Sequence, residues 1–392
     1  MVFGERYFNI HRIMFTILGL WPYQKQKILR IQAVFFSSVF FSLVCFQLTP
    51  LVTTACDVEC IIKKVSYICI TSVYILNYYS FYFNARTIKQ SLEHMQLDWK
   101  MLENKNAMKI LEEYIYEAHL FTLIVLILVI SGVSVFIIFE CIPVFLDVFL
   151  PLNESRLRKT EISFEYFLDD QQYFFLYVIH EFIGLLIGLS SMSITGSYLL
   201  VIATHTCAVY KVASNLMQGT VTEHVLQIPT PQRMYFMYNN IRLSVHIHRR
   251  NMKFIDGILL SLQFWYFPLV IIGVVSLSCV FFRLFNALKQ LNDYYDFVIA
   301  IIVFCFHFVY MFMMNFFGQL ITDHSAEMLS VTYNTLWYLA PIEIQKLLLF
   351  MHSSIKDHKL VTAGFFIPSI EGFSTLITTA ISYFTVMHAM RS

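Results

Sequence analysis

The chain has 392 residues, of which 58% are apolar, 17% aromatic and only 14% charged, and its net charge is +1. Soluble domains carry roughly 25% charged residues, so this chain has too few charges to cover an ordinary water-facing surface. The shortage excludes a disordered chain, a collagen-like chain and a nucleic-acid-binding surface, and it disfavours a soluble enzyme. The composition indicates an all-α, polytopic membrane protein.

Charged residues are absent in seven long stretches, the shortest of which has 19 residues. A helix needs about 20 apolar residues to cross ~30 Å of hydrocarbon, and it satisfies its own backbone hydrogen bonds there. A shorter stretch, 328–342, predicts a buried or interfacial helix. We therefore predict seven transmembrane helices, in the charge-free stretches 31–56, 65–85, 118–139, 182–210, 257–282, 297–322 and 372–390.

The basic residues between these stretches predict the orientation, because Lys and Arg stay preferentially in the cytoplasm. Segments on the N-terminal side of the membrane hold 19 basic residues and those on the opposite side hold 8. The N-terminus is therefore predicted to be cytoplasmic and the C-terminus extracellular. The tripeptide Asn153-Glu154-Ser155 then lies outside, so Asn153 is a candidate glycosylation site. No cleavable signal peptide is evident, and the first span would serve as a signal anchor.

Two amphipathic segments are predicted to project into the cytoplasm. Thr230-Pro231 is a helix start signal, and apolar residues follow at helical spacing as an extension of the fifth span. A second such helix, over Ile344, Leu347, Leu348 and Met351, precedes the last span. Their apolar faces predict a packed cytoplasmic bundle, within one chain or between subunits.

Catalytic and metal-binding motifs are not found: there is no nucleotide loop, nucleophile elbow, kinase signature or zinc motif. The pattern therefore predicts a protein that is not an enzyme and that needs no cofactor or metal. Cys141 could pair with Cys56 or Cys60 at the outer end, or all three could be free thiols. His307, inside the sixth span, is interpreted as a packing residue that hydrogen-bonds a neighbouring helix. His180 fits a ligand pocket and a packing role equally well.

Aromatic and hydroxyl side chains concentrate in the second, third, fourth and sixth spans, mostly towards their outer halves. Pockets for small apolar ligands combine an apolar wall with a few polar groups that orient the guest. The alternative is an aromatic belt at the lipid headgroups together with ordinary helix packing. The convergence on four spans favours a pocket.

The last span differs from the others in its many hydroxyl groups, from Ser374 to Thr385. A hydroxyl that faces lipid finds no partner there, so one face of this helix is expected to meet protein or water. Val386 and Met390, four residues apart, could form an apolar constriction that closes a pore by dewetting. Packing of small residues between helices is the equal alternative.

The C-terminal quarter resembles the insect odorant receptors. Its motif residues are most similar to those of the receptors of ants and bees. The rest of the chain is similar to them in the number of spans, the loop lengths and the inverted topology. The matching stretches are Phe317-Gly318-Gln319, His324-Ser325, Tyr333, Trp337-Tyr338, Gly364-Phe365-Phe366, Ser369-Ile370-Glu371-Gly372-Phe373 and Ser382-Tyr383-Phe384-Thr385-Val386.

This resemblance implies a subunit of an odorant-gated, non-selective cation channel in the plasma membrane of a sensory neuron dendrite. Such subunits form tetramers with a shared co-receptor, so a heterotetramer, a small volatile organic ligand and the lipid bilayer are the expected partners. Ligands of the family bind in the outer halves of the second, third, fourth and sixth spans. The candidate ligand-binding residues are Tyr67, Ile70, Tyr74, Asn77, Val133, Ser134, Ile137, Tyr173, Tyr177, His180, Tyr294, Val298 and Ile301.

The resemblance also implies that the last span lines a central pore. Ala389 stands where the co-receptor carries a pore glutamine, which favours an odorant-tuned subunit over the co-receptor. The expected organisation is a six-helix ligand-binding region in 1–318, anchor helices in 319–363 and the pore helix in 364–392. A gustatory-type channel and a G-protein-coupled seven-helix receptor are the alternatives. The candidate pore residues are Thr379, Ser382, Val386, Ala389 and Met390.

Overall fold

The computed structural model describes residues 5–53, 56–150, 156–289, 294–354, 360 and 366–391. Seven long helices and four shorter ones make up nearly all of this part of the chain. The long helices are α2 (Gln26–Thr53), α3 (Val58–Phe83), α5 (Lys105–Phe149), α6 (Phe174–Gln218), α8 (Thr230–Lys289), α9 (Tyr294–Asn334) and α11 (Ile370–Arg391). The shorter ones are α1 (Glu5–Leu18), α4 (Ala85–Met101), α7 (Glu223–Leu226) and α10 (Ile342–Ser354).

Each long helix contains most or all of one predicted charge-free stretch, so the seven-helix prediction is confirmed. Five of them, α2, α5, α6, α8 and α9, combine the length and mean hydropathy of a membrane span. The other two, α3 and α11, have 26 and 22 residues. At 1.5 Å per residue each is long enough to cross the hydrocarbon, but their many Tyr, Ser and Thr residues lower the hydropathy.

Several helices run well beyond the membrane layer. At 60 residues, α8 is about 90 Å long, and it begins at Thr230, where the sequence predicts its start. We call the end of the bundle with α1, α4, α7 and α10 the inner end, and the end with residues 156–173 the outer end. By the distribution of basic residues the inner end is predicted to be cytoplasmic.

A second hydrophobic core lies at the inner end, below the main one. Met237 and Ile241 of α8 pack with Ile344 and Leu348 of α10 and with Met328 of α9. The predicted packing of two amphipathic helices is thus observed within one chain. The separate helix expected over 328–342 is not formed, because α9 continues to Asn334 and only a 3-10 turn, Trp337–Leu339, follows.

Helix α6 is the centre of the main core, and its glycines bring neighbouring helices close. A Cβ atom added at Gly184 would lie 2.6 Å from a Leu43 methyl carbon, and one at Gly188 would lie 2.2 Å from the Tyr74 ring. Helices α2 and α3 can therefore pack directly on the α6 backbone. Further along α6, Tyr198 and Tyr210 are fully buried.

The outer end is closed by residues 156–173, which fold back over the bundle. Glu161 accepts hydrogen bonds from Arg283 Nη2 at 2.7 Å, from Tyr67 at 2.8 Å and from Lys63 at 3.1 Å. Because Glu161 and Arg283 are both buried, this pairing joins the segment to α3 and α8. Sequence spacing did not indicate it.

The disulfide between Cys141 and Cys56 or Cys60, which the sequence left open, is not formed. Cys56 and Cys60 are joined to each other, with their Cα atoms 5.4 Å apart, and Cys141 is a free thiol. The predicted glycosylation site, Asn153, lies outside the described residues.

Candidate functional site

An apolar cavity of about 150 Å³ lies between α3, α6, α8 and α9. Its wall includes Met192 and Ile202 of α6, Leu262 of α8 and Met311 and Met314 of α9. These residues recur at helical spacing because each helix turns one apolar face towards the others. An engineered apolar cavity of about this volume in another protein takes up benzene. The site is therefore suited to a small apolar guest.

A few polar side chains interrupt the apolar wall. Tyr310 lines the cavity, and Asn77 Nδ2 donates a hydrogen bond to its hydroxyl oxygen at 3.1 Å. Tyr74, Tyr266 and His307 also line the cavity. Apolar walls with few fixed polar groups are typical of sites that bind and orient small molecules.

His307 differs from the interpretation made from its position in the sequence. It is buried in the cavity wall, and it makes no hydrogen bond to another described residue. It therefore does not act as a packing residue bonded to a neighbouring helix. A buried imidazole without a protein partner can donate or accept a hydrogen bond with a bound molecule.

The inner end of the cavity is walled by α11 and the residues just before it. Pro368 and Leu376 line the cavity, and Leu376 also packs in one cluster with Met311 of α9. A Cβ added at Gly318 would lie 2.1 Å from the Pro368 carbonyl oxygen, so glycine permits this close crossing of α9. A molecule in the cavity would therefore contact α11 directly, through the side chain of Leu376.

Three of the predicted ligand residues belong to this region. Ile70 and Tyr74 line the cavity on α3, and Asn77 lies one helical turn further, where it holds Tyr310. These residues are three and four apart, which places them on one face of the helix.

Three others make contacts at the outer end, where Tyr67 and Tyr177 are buried and His180 is half-buried. Tyr67 donates to Glu161, and Tyr177 donates to the carbonyl of Leu168 at 3.1 Å. The imidazole of His180 lies between Ser42, at 3.0 Å, and Tyr166. These side chains fix residues 156–173 against the helices and do not line the cavity between α3, α6, α8 and α9.

The remaining predicted ligand residues do not line this cavity either. On α5, Val133 is buried, Ile137 is half-buried and Ser134 is exposed. The exposed side chains also include Tyr173, Val298 and Ile301. Tyr294 opens α9, and its side chain lies outside the described part. A ligand role for these residues stays a prediction.

Helix α11 packs against α8 and α9 with one face and leaves the opposite face exposed. Its exposed face carries most of the hydroxyl residues, and further out it carries Val386, Ala389 and Met390. Val386 is 56% exposed and Met390 is 80% exposed. Of the five candidate pore residues, Thr379 alone is half-buried. The helix thus turns its polar side away from its own bundle.

The hydroxyl groups on this face use their protons within the helix. Thr378 donates to the carbonyl of Ser374, Ser382 to that of Thr378, and Thr385 to that of Ser382, at 2.7–2.9 Å. Their oxygen lone pairs remain directed outward as acceptors. Such a surface can accept hydrogen bonds from water and can contact cations.

Seven helices, an internal apolar cavity and an exposed polar helix define a membrane receptor. The model of the 7tm Odorant receptor family matches residues 57–381, most of the chain. The protein therefore belongs to the 7tm odorant receptor family, and it is a receptor subunit rather than an enzyme. No curated protein matches the chain.

Solved structures share the fold. The olfactory receptor OR5 of the insect Machilis hrabei in complex with eugenol is 14% identical, with a TM-score of 0.68 over 98% of both chains. A second structure of that receptor is 13% identical, with a TM-score of 0.64 over 97% of both chains. The resemblance found in the C-terminal quarter thus extends to the fold of nearly the whole chain.

Gly188→Ala tests whether the cavity takes the ligand. The added methyl group must displace the Tyr74 ring, which lines the cavity. Overpacking of this kind costs about 1–3 kcal/mol, so we expect the concentration for half-maximal response to an activating odorant to rise roughly tenfold. The measurement is odour-evoked current in cells that co-express the co-receptor.

Gly196→Ala is the matched control, because a Cβ at this position of α6 meets no atom within 4 Å. Equal responses of the two variants, at equal surface expression, would contradict the assignment of the cavity as the ligand site.

Proposed function

We propose that this protein is the odorant-tuned subunit of a ligand-gated cation channel and that it opens its pore together with a co-receptor. The observation that carries the proposal is the shared wall between the cavity and α11, at Leu376 and Pro368. Through this wall, a guest that fits the open arrangement better than the closed one shifts the equilibrium towards opening.

The cavity supports a small, mainly apolar volatile compound as the ligand. Its volume of about 150 Å³ limits the size of the guest, and its few polar groups suit a compound with one or two oxygen atoms. The eugenol complex of the Machilis hrabei receptor makes eugenol a reasonable first compound to test. The cavity lies deeper than the predicted outer-half site, so the outer candidate residues would act on access or on closure of the outer end.

The exposed face of α11 supports a pore wall. Its oxygen lone pairs would face water or a neighbouring subunit rather than hydrocarbon, where polar groups lack partners. Four copies around an axis would bring the Val386 and Met390 side chains together as an apolar constriction near the outer end of the helix. Closure by dewetting of such a constriction is a known gating principle.

A co-receptor partner is supported by what this chain contributes to that wall. Ala389 supplies no hydrogen-bonding group at the position where the co-receptor carries glutamine, so a heterotetramer would obtain that group from the partner. The division into a ligand-binding region (1–318), anchor helices (319–363) and a pore helix (364–392) is part of this proposal. The plasma membrane of a sensory dendrite is the proposed location.

His307→Phe tests the role of the unpaired imidazole. A hydrogen bond contributes about 0.5–1.5 kcal/mol net, so potency should fall about two- to tenfold for an odorant with a hydroxyl or carbonyl oxygen. A hydrocarbon odorant of the same size should be unaffected. Dose–response currents measure both, with Cys305→Ser on the exposed face of the same helix as the control. A similar loss for both odorants would contradict a hydrogen-bonding role.

Val386→Ser tests the pore assignment. A hydroxyl in an apolar constriction lets water enter it, so we expect a larger basal current without odorant. The control is Ile381→Ser, at an exposed apolar position of the same helix. Ile381 is rotated about 100° around the helix from Ser382, which lies on the proposed pore face. The contradicting result is an unchanged basal current, with unchanged block of that current by ions, in the Val386 variant. An equal change in the control would contradict the assignment too, because α11 would then not line the pore with this face.

A further inference from the structure

A groove lined by basic side chains lies between α4 and α8 at the inner end. It is open to solvent and has a volume of about 710 Å³. Its basic lining consists of His94 of α4 together with Arg242, His246, Arg249, Arg250 and Lys253 of α8. The α8 residues are spaced by three or four along the helix, so they form a stripe of positive charge on one face.

Most of this charge has no counter-ion among the described residues. No described carboxylate lies within 4 Å of Arg242, Arg249 or Lys253. Like charges four residues apart, as at Arg249 and Lys253, repel each other and destabilise the helix. An anion from outside the chain would remove this repulsion.

Asp98 is a buried acid beside the groove, and it is already paired. Asp98 of α4 forms an ion pair with Arg250, and His205 Nε2 lies 3.0 Å from its carboxylate. Burial alone would raise the pKa of Asp98, but the hydrogen bonds with His205 and His94 lower it well below its usual value. The carboxylate therefore remains charged, fixes one wall of the groove and does not neutralise the other cations.

The same face of α8 becomes apolar towards the membrane. Above Lys253 it continues with Leu260, which is 69% exposed, and Phe264, which is 78% exposed. The charge-free stretch of α8 begins at residue 257, between the two parts. Exposed Leu97 and Met101 of α4 lie on the adjoining helix. The change from basic to apolar side chains matches the boundary between lipid headgroups and acyl chains.

We propose that this groove binds the phosphorylated headgroup of an anionic membrane lipid, whose acyl chains lie along Leu260 and Phe264. Phosphate oxygens are strong acceptors for Arg and Lys donors, and basic pockets on the cytoplasmic side of transmembrane helices bind such headgroups. The stripe from Arg242 to Lys253 is about 16 Å long, which suits a headgroup with more than one phosphate. This site is separate from the odorant cavity and from α11.

An acidic protein segment is the competing occupant. It would account for the basic stripe, but not for its continuation as an exposed apolar face on the same helix. A water-soluble phosphate compound shares the phosphate chemistry but likewise makes no use of Leu260 and Phe264. The lipid is the occupant that uses both parts of the surface.

The test measures binding of a fluorescent phosphatidylinositol bisphosphate to the purified full chain in detergent micelles. Soluble inositol trisphosphate, in a parallel titration, separates the two sources of phosphate. The variant combines Arg242→Gln, Arg249→Gln and Lys253→Gln, because these three side chains are exposed and form no ion pair with another described residue. Each basic residue near anionic lipid changes affinity by about fivefold, so we expect the triple variant to bind the lipid at least tenfold more weakly.

The matched control combines Lys105→Gln, Lys109→Gln and Lys346→Gln, which remove the same charge from exposed positions at the same end. It should bind the lipid within about twofold of the parent. Unchanged elution in size-exclusion chromatography shows that each variant is folded. Much weaker binding of the soluble headgroup than of the lipid identifies a lipid site, whereas equal binding identifies a soluble phosphate ligand and overturns the lipid assignment.

Two further outcomes would overturn the proposal. Equal losses in both triple variants would mean a general charge effect and no defined site. Unchanged lipid binding together with loss of co-purification with the co-receptor would mean that the stripe is a protein interface.

Discussion

Every polar group inside a bilayer must find a partner in the protein or in water, and this constraint organises the structure. Within the bundle, Asn77 Nδ2 donates a hydrogen bond to the Tyr310 hydroxyl oxygen at 3.1 Å. At the outer end, Glu161 collects the donors of three side chains. Among the groups that depart from this pattern are His307 in the cavity wall and the hydroxyl face of α11. Both have unused hydrogen-bonding capacity, and both carry the functional argument.

These two places are joined by a short path through packed side chains. His307 lies on α9 one turn before Met311, which packs against Leu376 of α11. A guest in the cavity would thus contact the residues that hold α11 in position. Because Met311 and Leu376 are in contact, a displacement of Met311 by a guest would move Leu376 as well. This arrangement explains how an apolar ligand, with few directional contacts, could change the position of α11.

The sequence predicted most of the fold because the membrane imposes a simple rule on it. Stretches without charge must be helices, so seven gaps gave seven helices. The start of α8 at Thr230 followed from local capping chemistry in the same way. The closure of the outer end was not predicted. Glu161 lies 122 residues from its partner Arg283, and the spacing of residues in the sequence contains no information on such contacts.

The candidate site was predicted only in part, because the position of its residues also depends on how the helices pack and rotate against one another. Tyr74 and Asn77 were predicted because aromatic and polar side chains concentrate in the second span, but their depth depends on how α3 packs on Gly188. His307 was assigned to packing, although an ionisable residue within a span is by itself a signal of function. The outer candidates, such as Val298, are exposed in the single chain. Their orientation depends on helix rotation, which periodicity fixes only to within a residue or two.

Photoaffinity labelling tests most directly whether the deep cavity holds the ligand. The intact receptor would be illuminated with a diazirine analogue of an activating odorant, and the modified peptides would be mapped by mass spectrometry. The account predicts adducts on the cavity faces of α8 and α9, within residues 255–273 and 306–321, that an excess of the odorant abolishes. Competable adducts confined to the outer positions, around Tyr173 and Val298, would contradict it.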